Sequence, residues 1–194
     1  MCKTKVYGVG INDYDGSTRV NGIQLKSYKS WKRMLERCYS DNFKNKNHCY
    51  DNVTVCDEWL YFSNFKKWFD ENYRYDLVEQ GIKIALDKDL MSNKDNKIYS
   101  PNTCLFIPVK INAFIANKNK SRLTKYPCIY KDKNKWKVRV KDFNTGKPIY
   151  LGCFYKLEDA LIISNHAREL EVIKAKEYLK SLNYSNDIVN MICI

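Results

Sequence analysis

Trp136-Lys137-Val138-Arg139-Val140-Lys141 constrains the fold of this chain more than any other stretch, because apolar and cationic residues alternate along it with a period of two. Successive side chains of a strand point to opposite faces, so Trp136, Val138 and Val140 share one face and Lys137, Arg139 and Lys141 the other. One face packs and the other is cationic. Charge is concentrated in the same region. Residues 116–156 hold twelve Lys and Arg against Asp132 and Asp142, a net +10 of the chain's formal +12. That asymmetry is the electrostatic footprint expected of a phosphate-binding module. The plainer reading is a lysine-rich surface that serves solubility alone.

At 194 residues the chain has room for one ordinary domain or two small ones. Its hydrophobic content of 44%, with 14% aromatic residues, is enough to fold. No stretch has the apolar length needed to span a bilayer, and Met1-Cys2-Lys3-Thr4-Lys5-Val6-Tyr7 lacks the apolar centre of a secretion signal, which predicts a cytoplasmic protein. Eight cysteines at irregular spacings, without an export signal, predict reduced thiols. A membrane-surface helix would line its cations along one side of a large apolar face. Here they alternate along a strand, so double-stranded nucleic acid is the better partner.

The spacings along the chain predict an α+β fold. Val6 to Asp13 reads as a short strand and turn, with two glycines but no GxGxxG continuation. From Ser27, Tyr28, Trp31, Met34, Leu35 and Cys38 recur at helical intervals. The other side of that helix carries Lys29, Lys32, Arg33 and Arg37, a face suited either to phosphate or to plain solvation. Residues 40–51 read as a loop and 53–56 as a short strand. Asp57 is the expected N-cap of a helix whose Trp59, Leu60, Phe62, Phe65, Phe69 and Tyr73 form an aromatic core stripe. Residues 81–90 and 103–107 read as strands joined through a polar turn at 92–97, and Pro108 suits the start of a following helix. The polar run from Asn117 to Arg122 marks a boundary between domains 1–117 and 118–194. Beyond it, strands near 127–131, 135–141 and 148–154 and a long helix over 157–182 are expected, with Asn144-Thr145-Gly146 turning the second hairpin.

The segments Tyr126-Pro127-Cys128-Ile129-Tyr130, Lys135 to Val140, Tyr150-Leu151-Gly152-Cys153-Phe154 and Leu157-Glu158-Asp159-Ala160 together resemble the AP2 DNA-binding domain. The resemblance covers about 55 residues, by the order of its marks: a tryptophan-bearing central strand, a Leu-Gly-x-Phe strand and a helix opening on an acidic residue and alanine. It implies a three-stranded antiparallel sheet packed on one long helix, with strand side chains entering the major groove. The residues carried over are Lys135, Lys137, Arg139, Lys141 and Tyr150. Arg139 has the planar fork that can address O6 and N7 of guanine together, whereas the lysines suit phosphates. Trp136 is expected beneath the sheet rather than stacked on a base.

Tyr28 to Tyr39, Val55-Cys56-Asp57-Glu58-Trp59, Leu86-Asp87-Lys88-Asp89-Leu90 and Asn96 to Cys104 with Pro108 and Asn112 resemble bacteriophage HNH-like endonucleases, a group often paired with an AP2 domain. That resemblance implies a ββα region with flanking helices, in which a histidine activates water and an aspartate and a later Asn or His hold Mg2+ or Mn2+. Mapped onto 86–112, Asp87 and Asn112 take the metal positions and Lys88 stands where the histidine belongs. Thr103 takes the place of the middle asparagine, with Asn102 beside it. The chain's two histidines, His48 and His166, lie outside the unit, so His48 reaching over from its loop is the alternative base. A lysine acts as a general base only where burial strips its proton, which flanking carboxylates oppose, so Lys88 reads more easily as a phosphate contact.

Cys38, Cys49 and Cys56, with His48 and Cys104, offer a set for a structural Zn2+, but no CxxC or HxxxH spacing supports it, and buried thiols behave as small hydrophobes. Three functional expectations stand at this point. The first is a homing-type endonuclease addressed by the basic sheet, the second a catalytically inactive DNA-binding regulator, and the third a phage protein that binds a host protein.

Overall fold

The computed structural model of the protein describes residues 5–91, 97–117 and 126–193. The turn expected at 92–97, apart from Lys97, and the boundary run from Lys118 to Arg122 lie outside the described residues. The chain forms two compact units of mixed helix and strand, Met1–Ile107 and Pro108–Ile194. The division falls one helix before the 117/118 boundary that composition suggests.

In the first unit the elements run β1 (Arg19–Val20), β2 (Ile23–Gln24), α1 (Lys26–Tyr39), α2 (Asp41–Lys44), β3 (Thr54–Val55), α3 (Phe62–Asn72), α4 (Tyr75–Glu79), β4 (Ile84–Asp87), β5 (Ile98–Tyr99) and β6 (Leu105–Pro108). Helix α1 forms where the apolar spacing predicts, and Trp31, Met34, Leu35 and Cys38 are all buried. They meet Trp59, Phe62, Phe65 and Phe69 in one aromatic core. Trp31 Nε1 donates to the carbonyl of Trp59 at 2.7 Å. In so apolar a setting an unpaired indole N–H would cost about 1–3 kcal/mol, so this bond fixes α1 against the segment leading into α3.

Two local expectations are corrected. The 40–51 segment is not a featureless loop: α2 and a 3-10 turn, His48–Tyr50, occupy it, and Phe43 meets Tyr50 edge to face at 5.4 Å. Asp57 is not an N-cap. It lies inside a 3-10 helix, Asp57–Leu60, and α3 starts later with Tyr61 at its N-cap position. The first turn of α3 is satisfied from a distance, because the Phe62 amide donates to Ile11 O and the Ser63 amide to Asp13 Oδ1 at 2.9 Å. A remote carboxylate at the positive end of the helix does the work that a local cap would have done.

Strand β3 pairs in parallel with β5, and β4 pairs with β6. Of the expected 81–90 strand only Ile84–Asp87 is extended. Gly81, at φ +77°, ends α4, with the Ile82 amide donating to Leu77 O.

In the second unit α5 (Val109–Asn117) is followed by β7 (Ile129–Asp132), β8 (Lys135–Lys141), β9 (Pro148–Phe154), α6 (Leu157–Ser181) and α7 (Asn186–Asn190). Strands β7, β8 and β9 form an antiparallel sheet in that order, with α6 packed across one face. Ile129 and Val138 are cross-strand partners, both fully buried against Ala160 of α6. Burial of each such side chain stabilises by about 1.5–3 kcal/mol. Trp136 is half-buried on the same side, beside Phe154 and Leu151.

Helix α5 packs within this unit, where Phe114 meets Phe143 edge to face and Phe143 meets Tyr178 of α6. The hairpin turn after β8 is held by Asp142, whose Oδ1 accepts from the Thr145 amide and hydroxyl at 2.7 and 2.8 Å. Among the described residues, no helix is long and apolar enough to cross a membrane.

Candidate nucleic-acid interface and the Asp87 site

Burial separates the two faces of β8 along the alternation read from its sequence. Val138 and Val140 are buried, while Lys135, Arg139 and Lys141 are exposed and Lys137 is half-exposed. The cations are therefore not covered by neighbouring protein within this unit. The opposing strand adds aromatic surface, because Arg139 faces Tyr150, whose side chain is 55% exposed. This pairing depends on an irregularity in register. Val138 faces Gly152, but Arg139 faces Tyr150, so Leu151 is skipped. Such a bulge re-aims side chains locally. Gly152 takes φ +131° there, and a Cβ on it would lie 3.0 Å from the Phe154 ring. The Leu-Gly-x-Phe pattern is thus a bulge with an aromatic lid over its glycine.

The four basic residues of β8 are not equivalent. The Arg139 and Lys141 side chains have no hydrogen-bond or ion-pair partner among the described residues. Lys137 Nζ lies 2.5 Å from Asp132 Oδ2, and that hydrogen bond pushes the lysine pKa up. Lys135 sits over the Tyr155 ring at 4.4 Å, and its hydrogen bond to Tyr155 likewise raises it. Tyr130, across from Lys137, and Tyr155 border the same face and were not singled out from sequence. Strand register, the signal that places them, is set by the turns and the bulge.

In the first unit Asp87 ends β4 and is 5% exposed. Its Oδ2 accepts from the amides of Asp89 at 3.0 Å and Leu90 at 2.8 Å. Burial pushes the Asp87 carboxyl upward, and the Leu90 amide opposes that shift. Lys88, 6% exposed, places its ammonium on the Asp89 carboxylate and over the rings of Tyr50 and Tyr99 at 5.6 and 5.8 Å. Cys38 and Cys104 border this place, and burial pushes both thiols up to about 12. Both cysteines therefore stay protonated and behave as core residues.

His48 is exposed and has Asp51 as its partner, Nδ1 to Oδ2 at 3.4 Å; no hydrogen bond or ion pair joins it to Asp87 or Lys88. His166 is exposed on α6. Thr103 closes a turn, its hydroxyl donating to Ile98 O at 2.6 Å and accepting from the Ser100 amide. Asn102 is exposed, and Asn112 is half-buried on α5 in the second unit.

A hard divalent ion takes oxygen donors, each with a lone pair to give. Around Asp87 its Oδ2 is committed to two amides, and Asp89 places its Oδ1 on Lys88. Among the described residues no three His, Cys, Asp or Glu side chains converge. Among the described residues, the cysteines and His48 do not assemble a zinc set, and Asp87 and Asp89 are the carboxylates this strand end offers to Mg2+ or Mn2+. Comparison with protein-family models, with curated proteins and with solved structures finds no match to this chain.

Proposed function

We propose that this chain binds double-stranded DNA through the open face of β7, β8 and β9, with Arg139 and Tyr150 at its centre. The observation that supports it is the exposure of Lys135, Arg139, Lys141 and Tyr150 on one side of a sheet whose other side is buried on α6. The partnerless guanidinium of Arg139 suits base edges, and the lysines suit phosphates. The resemblance to AP2 domains points to the same strand residues. Binding, as a regulator would bind, is the activity assigned here. Hydrolysis is the second reading, because Lys88, held on the Asp89 carboxylate, occupies the position of the expected base.

Fluorescence anisotropy with labelled duplex DNA over a salt series tests the reading. Binding should weaken with a log–log slope of about −0.9 for each phosphate neutralised. Replacing Lys137 and Arg139 by Ala should weaken binding and make that slope shallower; unchanged affinity removes the sheet from the interface. Supercoiled plasmid incubated with the protein and Mg2+ or Mn2+ should stay supercoiled. Relaxation by the native chain but not by Asp87→Ala would return the endonuclease reading.

A further inference from the structure

The cationic side of α1 faces a groove rather than open solvent alone. Lys26, Lys29, Arg33 and Arg37 lie three or four residues apart, which stacks them along one stripe of the helix. Strand β4, with Ile84, Ala85 and Leu86, lines the opposite side, and Tyr73, Phe69 and Phe106 contribute to the lining of a cavity of about 270 Å³. No Asp or Glu lines it among the described residues. The two ends of the stripe are held by aromatic groups. Lys26 lies 5.5 and 5.6 Å from the ring centres of Tyr73 and Tyr75, and Arg37 donates to Tyr99 Oη at 3.4 Å and lies 6.0 Å from the Tyr50 ring. Between them Lys29 and Arg33 are exposed and have no carboxylate partner among the described residues.

A solvated helix surface normally scatters acids among its bases, and pairs at i,i+4 neutralise one another. This stripe carries four bases in succession into a concave surface without an acid. Its length is about 16 Å at 1.5 Å per residue. That distance spans several phosphates of a DNA strand, which rise about 3.4 Å apiece. The stripe also ends beside the Asp87 site, because Arg37, over the Tyr50 ring and bonded to the Tyr99 hydroxyl, meets the same two tyrosines whose rings Lys88 lies over.

We infer that the groove between α1 and β4 is a second DNA-binding surface, which takes the phosphodiester backbone of a strand along Lys26, Lys29, Arg33 and Arg37 without reading its sequence. It rests on the proposed DNA-binding function for the identity of the ligand, but not on the sheet residues.

The test uses the full chain and a short mixed-sequence DNA duplex, with affinity followed across a KCl series. The double variant Lys29→Gln, Arg33→Gln removes two exposed, unpartnered charges, and circular dichroism verifies that the fold is retained. The salt slope should become shallower by about 1.8, at about 0.9 for each lost phosphate contact. The loss should be equal across DNA sequences, and Lys29→Arg, Arg33→Lys should restore the native slope. An unchanged slope in the glutamine variant overturns the inference. If the sheet variant Lys137→Ala, Arg139→Ala still lowers the slope in that case, the sheet reading survives alone. If only the groove variant lowers it, the groove stands and the sheet reading fails.

Discussion

Arg139 stands directly across the β8–β9 pair from Tyr150, and both side chains are exposed on the face turned away from α6. The arginine has no carboxylate partner among the described residues, so its fork is available, and the tyrosine supplies a flat neighbour that limits where the fork can go. Arg139→Ala should cost about 1–3 kcal/mol of binding to a preferred DNA site and relax preference at one base pair. Arg139→Lys should keep the salt slope and still lose that preference, because a point charge cannot address two acceptors at once. Competition anisotropy against single-base variants of a selected site measures both.

Gly152 is required by the bulge that creates this pairing. At φ +131° an L side chain is strained whatever the space, and here the Phe154 ring also stands 3.0 Å from the point a Cβ would occupy. Gly152→Ala should destabilise the second unit by about 1–3 kcal/mol. Thermal or urea denaturation of the full chain followed by Trp fluorescence should show the loss. The companion Gly152→Ala, Phe154→Leu should recover only the part due to the ring.

Asp142 ties the β8–β9 turn to α6. Its Oδ2 accepts from Lys174 at 2.8 Å, and Lys174 also reaches the buried Glu171, whose other oxygen accepts the Phe143 amide. The Lys174 hydrogen bond, followed by those from the Thr145 amide and hydroxyl, holds the Asp142 carboxyl well below its ordinary range. A carboxylate lowered in the folded state contributes stability that is present above the unfolded value of about 3.9 and is lost as pH falls toward the folded value. Stability should therefore decline below about pH 4, and Asp142→Asn should flatten that decline while lowering stability at neutral pH. Urea midpoints measured from about pH 2 to 7 decide it.

Cys38 and Cys104 are buried, with thiols pushed up to about 12, whereas Cys49 is exposed. Only a thiolate attacks an alkylating reagent at a useful rate. Iodoacetamide at neutral pH should modify Cys49 in the native chain and leave Cys38 and Cys104 untouched until denaturant is added, as peptide mass spectrometry would show. Early modification of Cys104 would mean that the Asp87 site opens in solution.

Periodicity is a local property, and what it governs is legible in the order of residues alone. The two-faced strand 135–141, the helix carrying Trp31, Met34, Leu35 and Cys38, the aromatic stripe through Phe62, Phe65 and Phe69, and the bounds of α6 all follow from residues a few positions apart. Tertiary structure decided whatever depends on partners far along the chain. Asp13, not Asp57, satisfies the start of α3, because chain geometry delivers its carboxylate to the amide of Ser63. Tyr150 meets Arg139 only because the register skips Leu151. Lys88 is buried against Asp89, Tyr50 and Tyr99, and the α1 cations line a groove, because β4 packs beside them. Alternation along a strand says which side chains share a face; only the packing of other elements says whether that face is covered, paired or left open to a ligand.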